Sequence, residues 1–175
     1  MSRNEAFDEG RLINMVGRKP EAVVFDMDGT LADVSSIRHH VRPDPTGQRK
    51  YKDFDAFHRE SVNVPPNPHV VEMAKQAASE GKKVIIVTAR RAKWRNHTAM
   101  WLAQNGVPSD AMYMRADGDG RPDYEVKKDI HARMSQSFDI VHAVDDNPNV
   151  LKLWHEKGIP TTRVPGWEDE DEQKA

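Results

Sequence analysis

The sequence contains no cysteine. That excludes a disulfide framework, cysteine-held zinc and thiolate chemistry, and it fits a reducing cytosol. Long apolar runs are also missing. No stretch approaches the roughly 20 residues needed to span a bilayer, and Met1 to Gly10 is too polar for a secretory leader. A cytoplasmic protein without membrane contact is the expectation. Nor does one sign of charge dominate, since 26 Lys plus Arg stand against 28 Asp plus Glu for a formal net charge of −2. A globally basic nucleic-acid binder is thereby excluded, and a polyanion would have to meet a local patch. Repeats and low-complexity linkers are absent too, so the 175 residues read as one domain with room for a core and a small insertion.

What is present is an alternation of strand and helix signals. Ala22 to Phe25 is an apolar strand. Residues 33–66 follow as a polar stretch without clean periodicity, with a short helix near Asp53 to His58 and Pro65-Pro66 at the end. Asn67-Pro68 reads as N-cap and first-turn proline of a helix whose apolar face is Val70, Ala74, Ala77 and Ala78, stopped by Gly81. Lys83 to Thr88, apolar at its centre, has the composition of a parallel strand covered on both faces. A helix from Trp94 to Asn105 carries Thr98, Trp101 and Leu102. Ala111 to Met114 is a short strand, and Asp123 caps a helix with Val126 and Ile130 inward. Ile140 to Val144 is a fourth strand, Asn147-Pro148 opens a helix with Leu151 and Trp154, and Thr161 to Val164 is a fifth strand. This pattern predicts an α/β fold: a three-layer, Rossmann-like parallel sheet with right-handed crossovers and a small insert after the first strand. Residues 1–20 would be an N-terminal extension, 21–167 the main domain with 33–66 as a cap-like insert, and 168–175 a solvated acidic tail.

The first strand runs directly into Asp26-Met27-Asp28-Gly29-Thr30. Two carboxylates one residue apart repel, so a fold that keeps them there offsets the repulsion with a cation. A bland alternative is a strand that ends in an Asp/Gly turn. An EF-hand is excluded, because its sixth loop position would be Leu31 where glycine is needed. In open parallel sheets ligands bind beyond the carboxyl ends of the strands. That rule gathers Asp26 and Asp28, Thr88-Ala89-Arg90, Arg115 and Asp145-Asp146 on one rim, with Lys127 in reach from an early helical turn. Singly, Asp145-Asp146 could be a turn before a helix cap, Thr88 an ordinary strand end and Lys127 a solvated lysine. Their shared placement is hard to explain that way.

With these residues the chain resembles the haloacid dehalogenase-like hydrolases over Glu21 to about Val164. The four elements are Asp26-Met27-Asp28-Gly29-Thr30-Leu31, Thr88 after an apolar strand, Lys127, and Asp145-Asp146. Val87-Thr88-Ala89-Arg90, Met114-Arg115, Gly118 to Asp123, Val126-Lys127, and Asp145-Asp146 followed by Val150 and Trp154 resemble more narrowly the phosphatase domain of phage polynucleotide kinase-phosphatases. Thr88 and Ala89 replace the usual serine and glycine of that family but keep the hydroxyl. No Gly-x-x-x-x-Gly-Lys-Ser/Thr loop occurs, so P-loop kinase chemistry is not expected and the resemblance implies a stand-alone phosphatase. It also implies a cytoplasmic location, that of the host where the gene is a phage's.

The expected chemistry is phosphoryl hydrolysis. Asp26 attacks phosphorus to give an aspartyl-phosphate, and Asp28 protonates the leaving oxygen and then activates water. Mg²⁺ is expected on Asp26, the Asp28 backbone carbonyl and an acid of the Asp145-Asp146 pair. Thr88 and Lys127 hold phosphoryl oxygens, and Thr30 positions the loop or the general acid. Dehalogenases of the superfamily lack the second acid, so Asp28 points to phosphate esters. The substrate side is Thr30, Ala89, Arg90, Arg115 and Arg121, with Lys82, Lys83, Arg91, Lys93 and Arg95 as a basic cluster around Trp94. Arg38, His39, His40 and Arg42 are further candidates; zinc is not expected there, because adjacent histidines point apart. The expected ligands are phosphorylated nucleic-acid ends or nucleotides. A 3′-phosphatase of polynucleotide ends, a small-molecule nucleotidase and a non-catalytic binding module all remain open, and the intact acidic set argues against the last.

Overall fold

A computed structural model describes residues 17–48 and 50–165. The expected acidic tail and most of the expected N-terminal extension lie outside the described residues. Five strands form one sheet: β1 (Glu21–Phe25), β2 (Lys83–Arg91), β3 (Ala111–Arg115), β4 (Asp139–Asp145) and β5 (Thr161–Arg163). All pairings are parallel, in the order β3-β2-β1-β4-β5. Among the described residues five α-helices accompany them: α1 (Phe54–Glu60), α2 (Pro68–Ser79), α3 (Arg95–Gln104), α4 (Asp123–Met134) and α5 (Pro148–Glu156). The fold is the α/β, three-layer parallel sheet that the alternation of signals predicts.

The period of two along the central strands divides the core. Val23 and Phe25 of β1 with Val84 and Ile86 of β2 join α2, α3 and the 33–66 segment on one face. Ala22, Val24, Ile85 and Val87 join Val126, Ile130, Val150 and Trp154 of α4 and α5 on the other. Because consecutive side chains alternate between two buried faces, these strands read as unbroken apolar runs.

Local sequence sets most element ends. Pro68 and Pro148 stand in the first turns of α2 and α5, and Asn147 caps α5 by accepting from Asn149 N at 3.0 Å. Two expectations fail here. Ala78 is exposed, because α2 presents only Val70, Val71, Ala74 and Ala77 to the sheet. Asp123 makes no cap; it lies inside the first turn of α4, and its carboxylate accepts instead from Arg115 Nη2 at 2.6 Å.

Residues 33–66 leave and return at a narrow neck. Asp33 N donates to Pro65 O at 2.9 Å and Asn67 N to Leu31 O at 2.8 Å. Between those points lie two 3-10 turns (Ser35–His40 and Ser61–Asn63) and α1, anchored by the buried Ile37, Val41, Phe57 and Val64. Such short turns carry no helical period, which is why the stretch reads as irregular. The topology then places the site. β1 and β4 are adjacent although β2 and β3 intervene in sequence, so the chain changes direction between them, and their carboxyl ends open a crevice.

Candidate active site

β1 and β4 pair with Phe25 opposite Val144, and Asp26 N donates to Val144 O at 3.0 Å. This register sets Asp26 beside Asp145 at the crevice. The loop after β1 is a tight knot: Ala32 N donates to Met27 O at 2.8 Å and Gly29 N to Ala32 O at 2.9 Å. Gly29 has φ +82, a conformation that residues with a Cβ rarely adopt.

Lys127 projects from α4 into this crevice with 2 % of its surface exposed. Its Nζ donates to Asp26 Oδ1 at 2.8 Å and to Asp145 Oδ2 at 2.7 Å. Burial disfavours the ammonium, but Asp145 and Asp26 outweigh it and hold the Lys127 pKa above its ordinary value. Asp26 is pushed well above the usual carboxylate range, by burial first, against Lys127 and with Asp145 and Asp146 adding repulsion. Thr30 Oγ1 donates to Asp146 Oδ1 at 3.3 Å, so this hydroxyl holds Asp146.

Asp28 belongs to a different cation. Arg90 Nε and Nη2 donate to its two carboxylate oxygens at 2.9 and 2.5 Å, while Arg90 Nη1 donates to Thr98 Oγ1 at 3.2 Å. Burial pushes the Asp28 pKa up, but the Arg90 charge and hydrogen bonds bring it below the usual carboxylate value. A bulge creates this pair. Thr88 lies opposite Met114 and Arg91 opposite Arg115, so Ala89 and Arg90 are extra residues on β2. The bulge aims Arg90 back across the rim, and Arg90 N is held by Thr88 Oγ1 at 3.2 Å.

Arg115 is spent on loop construction. It donates to Ala89 O at 2.8 Å, Asp119 O at 3.0 Å, Arg121 O at 2.6 Å and Asp123 Oδ1 at 2.6 Å. Arg121 in turn pairs with Asp119 at 2.9 Å and Asp129 at 2.8 Å. Both arginines still line a cavity of about 520 Å³ that also takes in Asp26, Asp28, Thr88, Ala89, Arg90, Lys127, Asp145 and Asp146. The structure therefore brings these expected site residues to one cavity, with Thr30 behind Asp146.

The basic cluster does not stay together. Lys82 and Lys83 lie at the amino end of the sheet, paired with Glu80 at 2.5 Å and Asp110 at 3.1 Å. Lys93 pairs with Asp55 of α1 at 2.7 Å, and Arg95 donates to Met112 O at 3.3 Å. Arg91 lines the cavity. In the 33–66 segment the rings of His39 and His40 approach to 4.0 Å between centroids, closer than neighbours that point apart, and His40 Nε2 lies 3.0 Å from Glu60. His58 was not singled out from sequence. It lies in the same cavity wall as Phe54 and Trp94, and burial lowers its pKa to about 4. The available signal was the spacing of Phe54 and His58, four residues apart on one helical face.

Asp26, Asp145 and Asp146 each offer an oxygen within 4.8 Å of the others. All three are buried, Lys127 pairs with Asp26 and Asp145 alone, and an all-oxygen donor set of this charge suits a hard divalent cation.

The family model described as polynucleotide kinase PNKP phosphatase domain matches residues 20–166. A chain in a structure of a Pnkp1/Rnl/Hen1 complex is 25 % identical with TM-score 0.69, over 85 % of this chain and 47 % of that one. A second, described as a Pnkp1/Rnl/Hen1 RNA repair complex, is 26 % identical with TM-score 0.67, over 83 % and 42 %. The present chain thus spans about half the length of these relatives. A class C acid phosphatase from Bacillus anthracis with tungstate bound shares the fold, with TM-score 0.63 and 16 % identity over 90 % and 71 %.

Proposed function

Because this chain belongs to the family of polynucleotide kinase PNKP phosphatase domains, within the haloacid dehalogenase-like hydrolases, we propose that it is a Mg²⁺-dependent polynucleotide 3′-phosphatase working through an aspartyl-phosphate. The observation that carries this reading is the division of the two loop carboxylates between two cations, Asp26 on Lys127 and Asp28 on Arg90. That division supports giving them different work.

Asp26 lies at the floor, fixed by β1 and Lys127, and one of its oxygens attacks phosphorus in line as the ester P–O bond breaks. Asp28 gives its proton to the departing oxygen. It then takes a proton from the water that cleaves the acyl phosphate, which frees Asp26 and inorganic phosphate. Asp28 meets this double role because Arg90 is what keeps its pKa low. A phosphate that draws the Arg90 donors away leaves burial in control, and the carboxyl can then carry a proton. Lys127 and Thr88 hold equatorial oxygens as charge builds on them. Asp145, oriented by Lys127, and Asp146, oriented by Thr30, would hold Mg²⁺ together with Asp26. Once bound, that cation would keep Asp26 ionised and screen it from the phosphate. Residues 33–66 act as a small cap whose α1 walls the cavity. Nucleic-acid ends are favoured as substrate by the family and by the RNA-repair setting of the relative just named.

The test is phosphate release from 3′-phosphorylated oligonucleotides, 5′-phosphorylated oligonucleotides and mononucleotides, each with Mg²⁺ and with chelator. Preference for the 3′-phosphorylated oligonucleotide, lost in chelator, is expected. Equal turnover of mononucleotides would make the enzyme a nucleotidase, and turnover indifferent to chelator would remove the metal from the site.

A further inference from the structure

Part of the cavity wall is aromatic. Phe54 and His58 of α1 stack at 6.2 Å between centroids with 25° between planes, and His58 lies 5.9 Å from Trp94. Lys93 holds α1 to this wall through Asp55 at 2.7 Å and lies 5.4 Å from the Trp94 ring centre. Phe54 is 49 % exposed, more than a ring recruited only for packing needs to be. Two polar atoms here are also unsatisfied: His58 Nδ1 and Trp94 Nε1 are buried without a hydrogen-bond partner. A buried indole N–H is a donor with one purpose, and leaving it unpaired in a folded protein calls for a reason. Lys52 and Arg91 border the same cavity.

We propose that Phe54, His58 and Trp94 form a nucleobase site that receives the base of the nucleotide whose phosphate reaches Asp26. This rests on the phosphatase reading above and names the part of the substrate that the catalytic residues do not touch. A flat heteroaromatic ring suits this wall, since it stacks on the exposed Phe54 ring, and a small shift of the rings on binding would bring the buried indole N–H and imidazole nitrogen to the acceptors and donors on its edge. The neutral imidazole suits this, because it can either donate or accept. Lys52 and Arg91 would then lie toward the next phosphodiester. A simple sugar phosphate would leave the wall unused.

Two measurements test this. In the first, kcat/KM is compared for 3′-phosphorylated trinucleotides that differ only in whether the terminal residue carries a base or is abasic. The wild type should prefer the base by roughly 10- to 100-fold, the scale of one base–aromatic stack, mostly through KM. In Phe54→Ala and Trp94→Ala that ratio should collapse towards one. Phe54→Ala keeps the test decisive if Trp94→Ala folds poorly, as its ring is half exposed. A wild-type ratio near one, or a ratio preserved in both variants, overturns the base site. In the second, the same ligands are titrated into Asp26→Asn protein with Mg²⁺ and binding is followed by calorimetry, which needs no turnover. If no 3′-phosphorylated oligonucleotide is hydrolysed by the wild type, the phosphatase reading fails. Calorimetry then decides the base site separately: tighter binding of the base-bearing ligand, lost in Asp26→Asn with Phe54→Ala, supports it, and equal binding ends it.

Discussion

Lys127 and Lys82 each hold a carboxylate through a short contact, at opposite ends of the same sheet. Lys127 is buried between Asp26 and Asp145, which come from two different strands. Lys82 meets Glu80, two residues away, where both side chains are substantially open to water. Each pairing raises the pKa of its lysine. The physical meaning differs. At the buried end water cannot replace a lost partner, so each charge depends on the others and the cluster fixes the relation of β1, β4 and α4. At the exposed end solvent and salt stand ready as substitutes. The proposed nucleophile belongs to the first arrangement, since a dry, overdetermined site would keep an attacking group in place before substrate arrives.

The largest effect that this comparison predicts is on turnover. Asp26→Asn keeps the shape of the floor and the contact with Lys127, but it removes the attacking oxygen's charge. The rate of phosphate release should fall by at least about a thousandfold, with folding retained, as judged by a cooperative melt. A variant that kept a tenth of the wild-type rate would end the covalent mechanism.

Next in size is Lys127→Met, which strands two buried carboxylates. Urea unfolding at neutral pH should show a loss of about 3–5 kcal/mol. The loss should shrink as the pH is lowered. Asp26 has a raised pKa in the folded state, so the fold takes up its proton before the unfolded chain does, and stability gained on acidification is lost again as pH rises through that window. A penalty independent of pH would mean that the carboxylates are not what Lys127 neutralises.

The sequence made some of these relations legible and hid others for specific reasons. Asp26, Asp28, Lys127 and Asp145-Asp146 could be gathered on one rim because strand ends in a parallel sheet share a side, so position in the alternation was enough. The pairing of Arg90 with Asp28 was not legible, because it depends on Ala89 and Arg90 bulging from β2, and a bulge leaves no trace in an apolar pattern. Arg115 reads from sequence as a substrate-side residue, and it does line the cavity, but that four oxygens of the neighbouring strand, loop and helix engage it depends on loop geometry that no spacing reveals. The basic cluster dissolved for the simplest reason: β2 runs through it, so residues adjacent in sequence went to opposite ends of a nine-residue strand. His58 stayed hidden because α1 has only seven residues, so the spacing from Phe54 to His58 is one helical turn and not a repeating period.

A smaller effect sits on the cap side. His58 titrates near 4 in the folded protein, chiefly because burial disfavours its charge, against 6.5 when unfolded. The unfolded chain therefore binds the proton first. Stability is full above about pH 6.5 and declines as pH falls towards 4, by roughly 2–3 kcal/mol for this one group. His58→Phe should flatten that part of the stability–pH curve relative to wild type, while Asp26 contributes in the opposite direction to both proteins. Parallel curves for the two proteins would show that the imidazole is not shielded from water.

The smallest effect should come from the exposed end. Lys82→Ala removes a contact of 2.5 Å, one of the shortest ion pairs in the molecule. Length is a poor guide here. Both partners face water, only two residues separate them so no distant elements are joined, and ordinary salt screens what attraction remains. The melting temperature at physiological ionic strength should match wild type within measurement scatter. At low salt a slight drop could emerge, and added salt should erase it. Phosphate release should not change, since Lys82 lies at the far end of β2 from Asp26. If instead Lys82→Ala weakened the fold as much as Lys127→Met, burial would not be what separates the two lysines, and the buried cluster would lose its special standing as the framework of the site.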